Sequence, residues 1–360
     1  MEHPSIDGEA VRAEGARDGA APAPEQTLLQ MAVGKWACQA LKVAAALGVA
    51  DLLAGGAKSV HELARRTGAH EDALYRLLRA LASLGVFKET PQRRFENNAL
   101  SQPLRSDVAG SVGAMIRWIG EESAWRAWNE FEYSVRTGKP AFERVFGEQV
   151  FEYFAHHPGP AAIFNAAMNS FSAGTGAAVA RAYDFSPFRR VVDVGGGHGA
   201  LLAAIAERFP DLRGVLFDRP EVIASARQAL ASSGHAKRIE LCAGDFLDEV
   251  PEGGDAYIMK HIIHDWDDER CIRILRLCRK AMAAGGTILV VEQVIQDGPE
   301  SAFAKLLDLE MLAMTPGGRE RGAAEFSQLF ERAGLRLTRI VPTGSFVSLI
   351  EAVPAAEPLH

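Results

Sequence analysis

The part of the chain that follows Arg189 alternates short apolar, β-branched runs with longer stretches of helical periodicity. In chain order the pattern predicts strand 191–194, helix 200–209, strand 214–218, helix 221–232, strands 238–242 and 256–259, helix 268–283, strand 287–291 and helices 301–314 and 323–333. Such alternation favours an α/β class, with a parallel sheet that helices cover on both faces.

The last two predicted strands break this alternation. Segments 335–341 and 346–353 are both strand-like, and the turn Pro342-Thr343-Gly344-Ser345 joins them directly. Two strands joined by so tight a turn run antiparallel. We therefore expect the sheet to finish with a reversed strand.

The N-terminal part has a different pattern. Apolar residues recur at helical spacing over 28–53, and Ser59-Val60-His61-Glu62 predicts a capping box before a short helix. A further amphipathic helix over 71–84 precedes two short strands at 86–89 and 94–96. Helices followed by a hairpin form a winged-helix pattern, and because that module most often binds DNA, a DNA-binding regulator is one alternative function.

These patterns divide the chain into four expected parts. They are a disordered lead-in (1–25), a winged-helix-like domain (26–108), a helical linker or substrate-wall region (109–185) and a ligand-binding catalytic domain (186–360). The third part is rich in aromatic residues and methionines, which suit the wall of a site for a flat ligand.

Composition narrows the function classes. The net charge is −7 without a long basic run, so the footprint of a nucleic-acid-binding protein is missing. The four cysteines show no metal-ligand spacing, and we expect no metal site and a reducing compartment. No apolar stretch is long enough to span a bilayer, and the N-terminus has no signal-peptide pattern, so we expect a cytoplasmic protein with no membrane partner.

The strongest local motif is Asp193-Val194-Gly195-Gly196-Gly197-His198-Gly199, between a predicted strand and a helix. Glycines let the backbone turn tightly and let a ligand approach closely. Gly195, Gly197 and Ala200 also satisfy a dinucleotide pattern, and Asp218 lies where a ribose-binding acid belongs. An NAD-dependent oxidoreductase is therefore a second alternative function.

Three features argue against a dinucleotide. Asp193 lies inside the strand, where an acid suits a ligand's ammonium group better than a pyrophosphate. Asp245, with Phe246 after it, ends the third strand and can hold an adenine by a hydrogen bond and an apolar face. The reversed terminal strand also departs from the simple repeating βαβ wind of a dinucleotide-binding sheet.

The segment Met259 to Trp266 carries the candidate for a catalytic base. It follows the fourth strand, whose carboxyl end faces the ligand crevice in open α/β sheets. His264 lies just past the strand, and an imidazole can take the proton of a phenol as its oxygen attacks. His261 is expected to be structural, whereas Glu292 and Glu320 are the two acids that can orient His264 or pair with it.

With these residues the chain resembles the plant-type and bacterial small-molecule O-methyltransferases, from about Leu28 to the C-terminus. The likeness is carried by the glycine loop, Phe217-Asp218, Gly244-Asp245-Phe246, Lys260 to Trp266, and Pro316-Gly317-Gly318-Arg319-Glu320-Arg321. The resemblance implies a Rossmann-like methyltransferase sheet with a reversed C-terminal strand. It also implies an N-terminal all-helical or winged-helix domain that serves homodimerisation.

The resemblance also implies roles for single residues. S-adenosylmethionine would be contacted by Gly195, Asp218, Asp245, Phe246 and Lys260, with Trp266 near its adenine. His264 would be the base, with Glu292 and Glu320 as the flanking acids. Met168 and Met311 would wall a small aromatic acceptor, and Phe164, from the aromatic-rich segment, is a further candidate for that wall. The chain departs from the plant enzymes around 111–175 and at Glu310, and a relative that binds the cofactor without transferring methyl is a third alternative.

Overall fold

The computed structural model describes residues 23–108, 110–231, 234, 237–299 and 301–355. Most of the expected disordered lead-in, residues 1–22, lies outside the described part. The prediction is wrong for Pro24 and Glu25, which begin the first helix. Proline fits the first turn of a helix and an acid there favours the helix dipole, so this start is physically reasonable.

The N-terminal domain confirms the winged-helix pattern. Its elements are α1 (Pro24–Ala46), α2 (Val49–Leu52), β1 (Lys58–Ser59), α3 (Val60–Thr67), α4 (Glu71–Ser83), β2 (Lys88–Thr90) and β3 (Arg94–Glu96). The strands form an antiparallel sheet in the order β1-β3-β2. The predicted capping box of α3 is present, with Glu62 accepting from the Ser59 backbone N–H at 2.8 Å.

A helical region follows this domain. Its helices are α5 (Gly113–Ile119), α6 (Glu122–Asn129), α7 (Phe131–Thr137), α8 (Ala141–Phe146), α9 (Val150–His156) and α10 (Pro158–Ala182). The aromatic residues of this region pack together with Ala313 and Met314 from a later helix, and we call this group the aromatic cluster. Its other members include Trp118, Phe131, Phe142, Phe151, Phe154, Phe164 and Met168.

The third part has the predicted alternation of strands and helices. It contains β4 (Arg190–Val194), α11 (Ala200–Arg208), β5 (Arg213–Asp218), α12 (Pro220–Ala231), β6 (Ile239–Ala243), β7 (Ala256–Lys260), α13 (Asp268–Ala281), β8 (Thr287–Glu292), β9 (Val294–Ile295), α14 (Ala302–Met314), β10 (Arg321–Gly322), α15 (Ala323–Arg332), β11 (Leu335–Pro342) and β12 (Ser348–Pro354).

The main sheet has seven strands in the order β11-β12-β8-β7-β4-β5-β6. Strands β8, β7, β4, β5 and β6 are parallel, whereas β12 is antiparallel to both β8 and β11. The expected reversed strand is therefore confirmed. Because the chain crosses from β5 and β6 over β4 to β7, a crevice opens at the carboxyl ends of β4, β5 and β7.

Helices cover both faces of this sheet. Successive side chains of a strand point to opposite faces, so the apolar strands need cover on both sides. Val192 and Val194 of β4 pack in the core with α13 and α15, whereas Val191 packs with α10, α11 and α12. A pair of two-residue strands, β9 and β10, was not predicted; they pair in parallel and bring the segment before Arg321 next to the end of β8. Within the described residues no helix is long and apolar enough to cross a bilayer.

Candidate active site

The glycine loop connects β4 to α11 and is held by its neighbour β5. Gly195 and Gly197 have φ angles of 67° and 60°, a region that favours glycine. A side chain at Gly195 would collide with Ile262, and one at Gly196 would lie 2.6 Å from Asp193 Oδ2. At these two positions the loop leaves space only for backbone, whereas Gly197 faces open space in which a ligand can approach it closely.

Acids and one lysine surround this loop. Asp218 at the end of β5 accepts from the Gly197 N–H at 2.8 Å, which fixes the loop against the strand end. Asp193 is 1% exposed, and its Oδ2 has no hydrogen-bond partner among the described residues. Burial raises the pKa of Asp193 to about 7, although the charge of Lys260 lowers it. Burial also lowers the pKa of Lys260 to about 8, against the attraction of Asp193.

This arrangement fits the predicted cofactor. A buried carboxylate oxygen without a partner is costly unless a donor reaches it, and the ammonium group of S-adenosylmethionine is such a donor. Phe246 and Trp266 lie 6.1 Å apart between ring centroids at the same edge and offer apolar surface. Asp245 is exposed there and accepts from the Leu247 N–H at 2.8 Å.

The predicted base lies in a short 3₁₀ turn, Ile263–Asp265, directly after β7. His264 is 7% exposed, and its Nδ1 lies 2.6 Å from Glu320 Oε1. Glu292 at the end of β8 does not bind the ring by a hydrogen bond; its Oε1 accepts from the backbone N–H groups of Ile262 and His264 at 3.2 and 3.1 Å. One acid thus orients the imidazole and the other fixes the turn.

The charges around His264 outweigh its burial. Burial alone lowers the pKa of the imidazole, but Asp265 and Glu320 raise it to about 10. Asp265 lies 3.6 Å from Nε2, and burial raises the pKa of its own carboxyl to about 6. Burial likewise raises the pKa of Glu292 to about 7, while His264 lowers it. The turn therefore brings together one imidazole and several carboxyl groups whose protonation states depend on one another.

The donor atoms of His264, Glu292 and Glu320 all lie within 4.8 Å of one another. One imidazole and two carboxylates are also a set that metal ions accept. The sequence predicts no metal, and that expectation stays a prediction.

Sequence reasoning missed three residues that build this turn. Arg321 is 1% exposed and donates to the backbone oxygens of Ile263 and Trp266 at 2.9 and 3.0 Å. Asp308 on α14 accepts from the Glu320 N–H at 2.8 Å. The sequence indicates Asp265 only as an acid beside the base. The signal for Arg321 was its place in the Pro316 to Arg321 motif, but its burial depends on the β9–β10 pairing.

His261 faces the interior, as expected for a structural residue. It is half-buried, with both ring nitrogens inside, it has a φ of 55°, and its ring centroid lies 4.9 Å from that of His264. Burial places its pKa well below the usual value, so it adds no charge beside the base.

The predicted acceptor wall is brought together in part. Phe164 and Met168 on α10 both belong to the aromatic cluster, and Phe151 of that cluster lies 6.3 Å from Trp266. Met311 is buried on α14, three residues after Asp308 and hence on the helix face that reaches Glu320. The cluster therefore borders the edge that carries His264.

Comparison with known families decides the identity of this fold and site. Residues 128–336 match the family model of the O-methyltransferase domain, and residues 29–107 match that of the O-methyltransferase dimerisation domain. The chain belongs to the O-methyltransferase family. It is an S-adenosylmethionine-dependent O-methyltransferase, and the NAD-dependent alternative is wrong.

Relatives of this O-methyltransferase include enzymes with different acceptor atoms. A phenazine O-methyltransferase from Lysobacter antibioticus is 46% identical, over 95% of this chain and 99% of the relative. A phenazine-1-carboxylate N-methyltransferase from Pseudomonas aeruginosa is 34% identical, over 92% and 98%. A solved O-methyltransferase from neocarzinostatin biosynthesis, in complex with S-adenosylmethionine and 2-hydroxy-5-methyl naphthoic acid, has a TM-score of 0.74 and 34% identity, over 89% and 96%.

Proposed function

We propose that this O-methyltransferase methylates a phenolic hydroxyl of a small aromatic secondary metabolite, with His264 as the general base. The observation that carries the proposal is the buried His264–Glu320 pair, which lies after β7 and beside the aromatic cluster. Relatives that act on phenazines and a neighbour that holds a naphthoic acid support a flat acceptor.

Residues 186–360 supply the cofactor side of the site. We assign Asp193, Gly195, Gly197, Asp218, Asp245, Phe246, Lys260 and Trp266 to S-adenosylmethionine. Asp193 would accept from the ammonium group, since its Oδ2 needs a donor. When bound, the cofactor supplies an electrophilic methyl group on a positively charged sulfur.

The residues of the turn hold and move one proton. In the ligand-free protein the imidazole is charged at neutral pH, because Asp265 and Glu320 outweigh the effect of burial. A second positive charge in the same buried site disfavours the imidazolium, so the cationic cofactor favours the neutral base. His264 then takes the phenol proton as the oxygen attacks, and Glu320 stabilises the imidazolium that forms. Glu292 keeps the turn in place through its two backbone hydrogen bonds.

Residues 109–185, with α14, supply the acceptor side. We assign Phe164, Met168 and Met311 to the wall, because the first two lie in the aromatic cluster and the third lies on the α14 face that reaches Glu320. Aromatic and thioether side chains pack well against a flat ring. Alignment of the oxygen with the methyl group would contribute much of the acceleration.

The winged-helix domain, residues 26–108, serves a homodimer in this proposal. Helix α1 leaves Leu28, Leu29, Met31 and Trp36 each more than 60% exposed, an apolar surface that a second copy can cover. We expect no DNA binding, because α4 begins with the acids Glu71 and Asp72. Sedimentation analysis should find a dimer, and a monomer at micromolar concentration would contradict this assignment.

The His264→Ala variant tests the base. Because general-base help is typically worth about 10² to 10⁴ in rate, kcat should fall by at least a hundredfold. Affinity for S-adenosylhomocysteine, measured by calorimetry, should stay within about threefold. Turnover of a phenolic panel with radiolabelled cofactor is the readout, and an unchanged kcat would exclude His264 as the base.

A further inference from the structure

A carboxylate interrupts the apolar face of α14. Ala313 and Met314 follow Glu310 by three and four positions, so the three residues share one face of the helix. Ala313 and Met314 are buried in the aromatic cluster. Glu310 is therefore directed at the aromatic cluster, where an apolar residue would be expected.

Among the described residues the carboxylate of Glu310 has one hydrogen-bond partner, the neutral indole of Trp128 on α6. Trp128 Nε1 on α6 donates to Glu310 Oε2, and the Trp128 ring lies 4.7 Å from that of Phe131, a member of the cluster. An ionised carboxyl group can accept about four hydrogen bonds, and an indole supplies one. Burial raises the pKa of Glu310, and the Trp128 hydrogen bond lowers it only in part. Glu310 is only partly buried in the ligand-free protein, so an acceptor that covers it must supply a donor in place of water.

The same turn of α14 reaches the catalytic pair. Asp308 binds the backbone of Glu320, which holds His264, and Met311 lies on the same face as Asp308. Residues 308 to 311 span one helical turn, a rise of about 5 Å. Glu310 lies within one turn of these residues but about 200° around the helix from Asp308, so it faces the aromatic cluster rather than the base.

We propose that Glu310, positioned by Trp128, is a specificity-determining residue that selects aromatic acceptors with a second hydrogen-bond donor. A hydroxyl, amino or ring N–H group would donate to the carboxylate, whereas an acceptor with its own carboxylate would be repelled. The inference rests on the proposed function of the aromatic cluster as the acceptor wall.

The test measures how tightly acceptor analogues bind to the complex of the protein with S-adenosylhomocysteine. No methyl group is transferred in that complex, so the role of His264 does not affect the result. The probes are 2,7-dihydroxynaphthalene, 7-hydroxy-2-naphthoic acid, 1,6-dihydroxyphenazine and 6-hydroxyphenazine-1-carboxylic acid. The wild-type protein should bind the diol of each pair at least tenfold more tightly than the acid. Glu310→Gln, which keeps the shape and removes the charge, should reduce that ratio to below threefold.

Two further variants keep the test specific. Trp128→Phe retains the ring but removes the N–H that positions Glu310, and should lower the preference for the diol by less than Glu310→Gln does. Glu132→Gln removes an exposed carboxylate of α7 that pairs with Arg136, and should change nothing. If Glu310→Gln unfolds, Glu310→Met serves the same comparison.

The outcomes separate the two proposals. Equal binding of diol and acid by the wild-type protein, or an unchanged ratio in Glu310→Gln, would overturn the role of Glu310 and leave the aromatic wall intact. Binding of neither member of either pair would overturn both.

Discussion

The sheet edge that carries His264 and the helical wall that faces it are built by opposite means. At the edge, the charged groups lie at the ends of β4, β5, β7 and β8 or in the short loops that follow them. Backbone N–H groups of these loops donate to Asp218 and Glu292, which holds the loops in place. The wall is made of aromatic side chains from several separate helices, held by packing. We therefore expect the edge to govern the cofactor and the proton for every acceptor, and the wall to govern which acceptor binds.

The largest effect that tests this division is expected from Glu320→Gln. Without the negative charge of Glu320, the imidazolium of His264 is less stable, so we expect kcat to fall about a hundredfold for all acceptors. The pKa of His264 should fall as well, because Glu320 is one of the groups that raise it to about 10. The acidic limb of the kcat profile, measured from pH 6 to 10, should therefore move to lower pH.

Stability gives the same variant a second readout. A histidine whose pKa is raised on folding, here from 6.5 to about 10, stabilises the protein fully below pH 6.5 and loses that contribution as the pH rises through 10. Glu320→Gln should flatten this loss in denaturant unfolding. Glu331→Gln, an exposed acid of α15, is the matched control. An acidic limb that does not move would contradict the assigned pair.

Asp193→Asn is expected to have the next largest effect. Loss of a charge-assisted hydrogen bond should weaken S-adenosylmethionine binding about tenfold, or about 1.4 kcal/mol. The pKa of Asp193 is raised on folding from 3.8 to about 7, so its ionisation costs stability as the pH rises through that range. The variant without cofactor should therefore unfold at a higher temperature than the wild type at pH 8.

Calorimetry and thermal unfolding measure the two effects on one sample. Asp248→Asn, an exposed acid that pairs with Arg273, should show neither. A variant that binds the cofactor normally would show that Asp193 serves the fold alone.

The two regions also differ in how well the sequence predicts them. The edge depends on contiguous motifs at strand ends, and the positions of Asp193, Asp218, His264 and Glu292 follow from the strand pattern alone. The burial of Arg321 did not follow, because it depends on two-residue strands with no periodic signal. Both acids lie near the imidazole, but Glu320 binds its Nδ1 whereas Glu292 accepts from the backbone of the turn, and their catalytic roles stay predictions.

The wall could not be predicted in the same way. Aromatic residues over 111–180 predict burial, but which of them meet depends on how separate helices pack. Phe164 and Met168 are two of many aromatic and methionine residues in this segment that could line an acceptor site. The hydrogen bond between Trp128 and Glu310 joins positions 182 residues apart. Local sequence contains no signal for such a contact.

Met168→Ala is expected to have the smallest effect and tests the wall directly. Removal of the thioether leaves a gap beside the acceptor, and one such lost contact is worth about 1 kcal/mol, or a fivefold rise in acceptor KM. Affinity for S-adenosylhomocysteine and the pH profile should not change, because the edge is untouched. Met282→Ala, in the segment after α13, controls for a general loss of packing. If Met168→Ala instead lowered cofactor affinity with acceptor KM constant, the proposed division between edge and wall would be wrong.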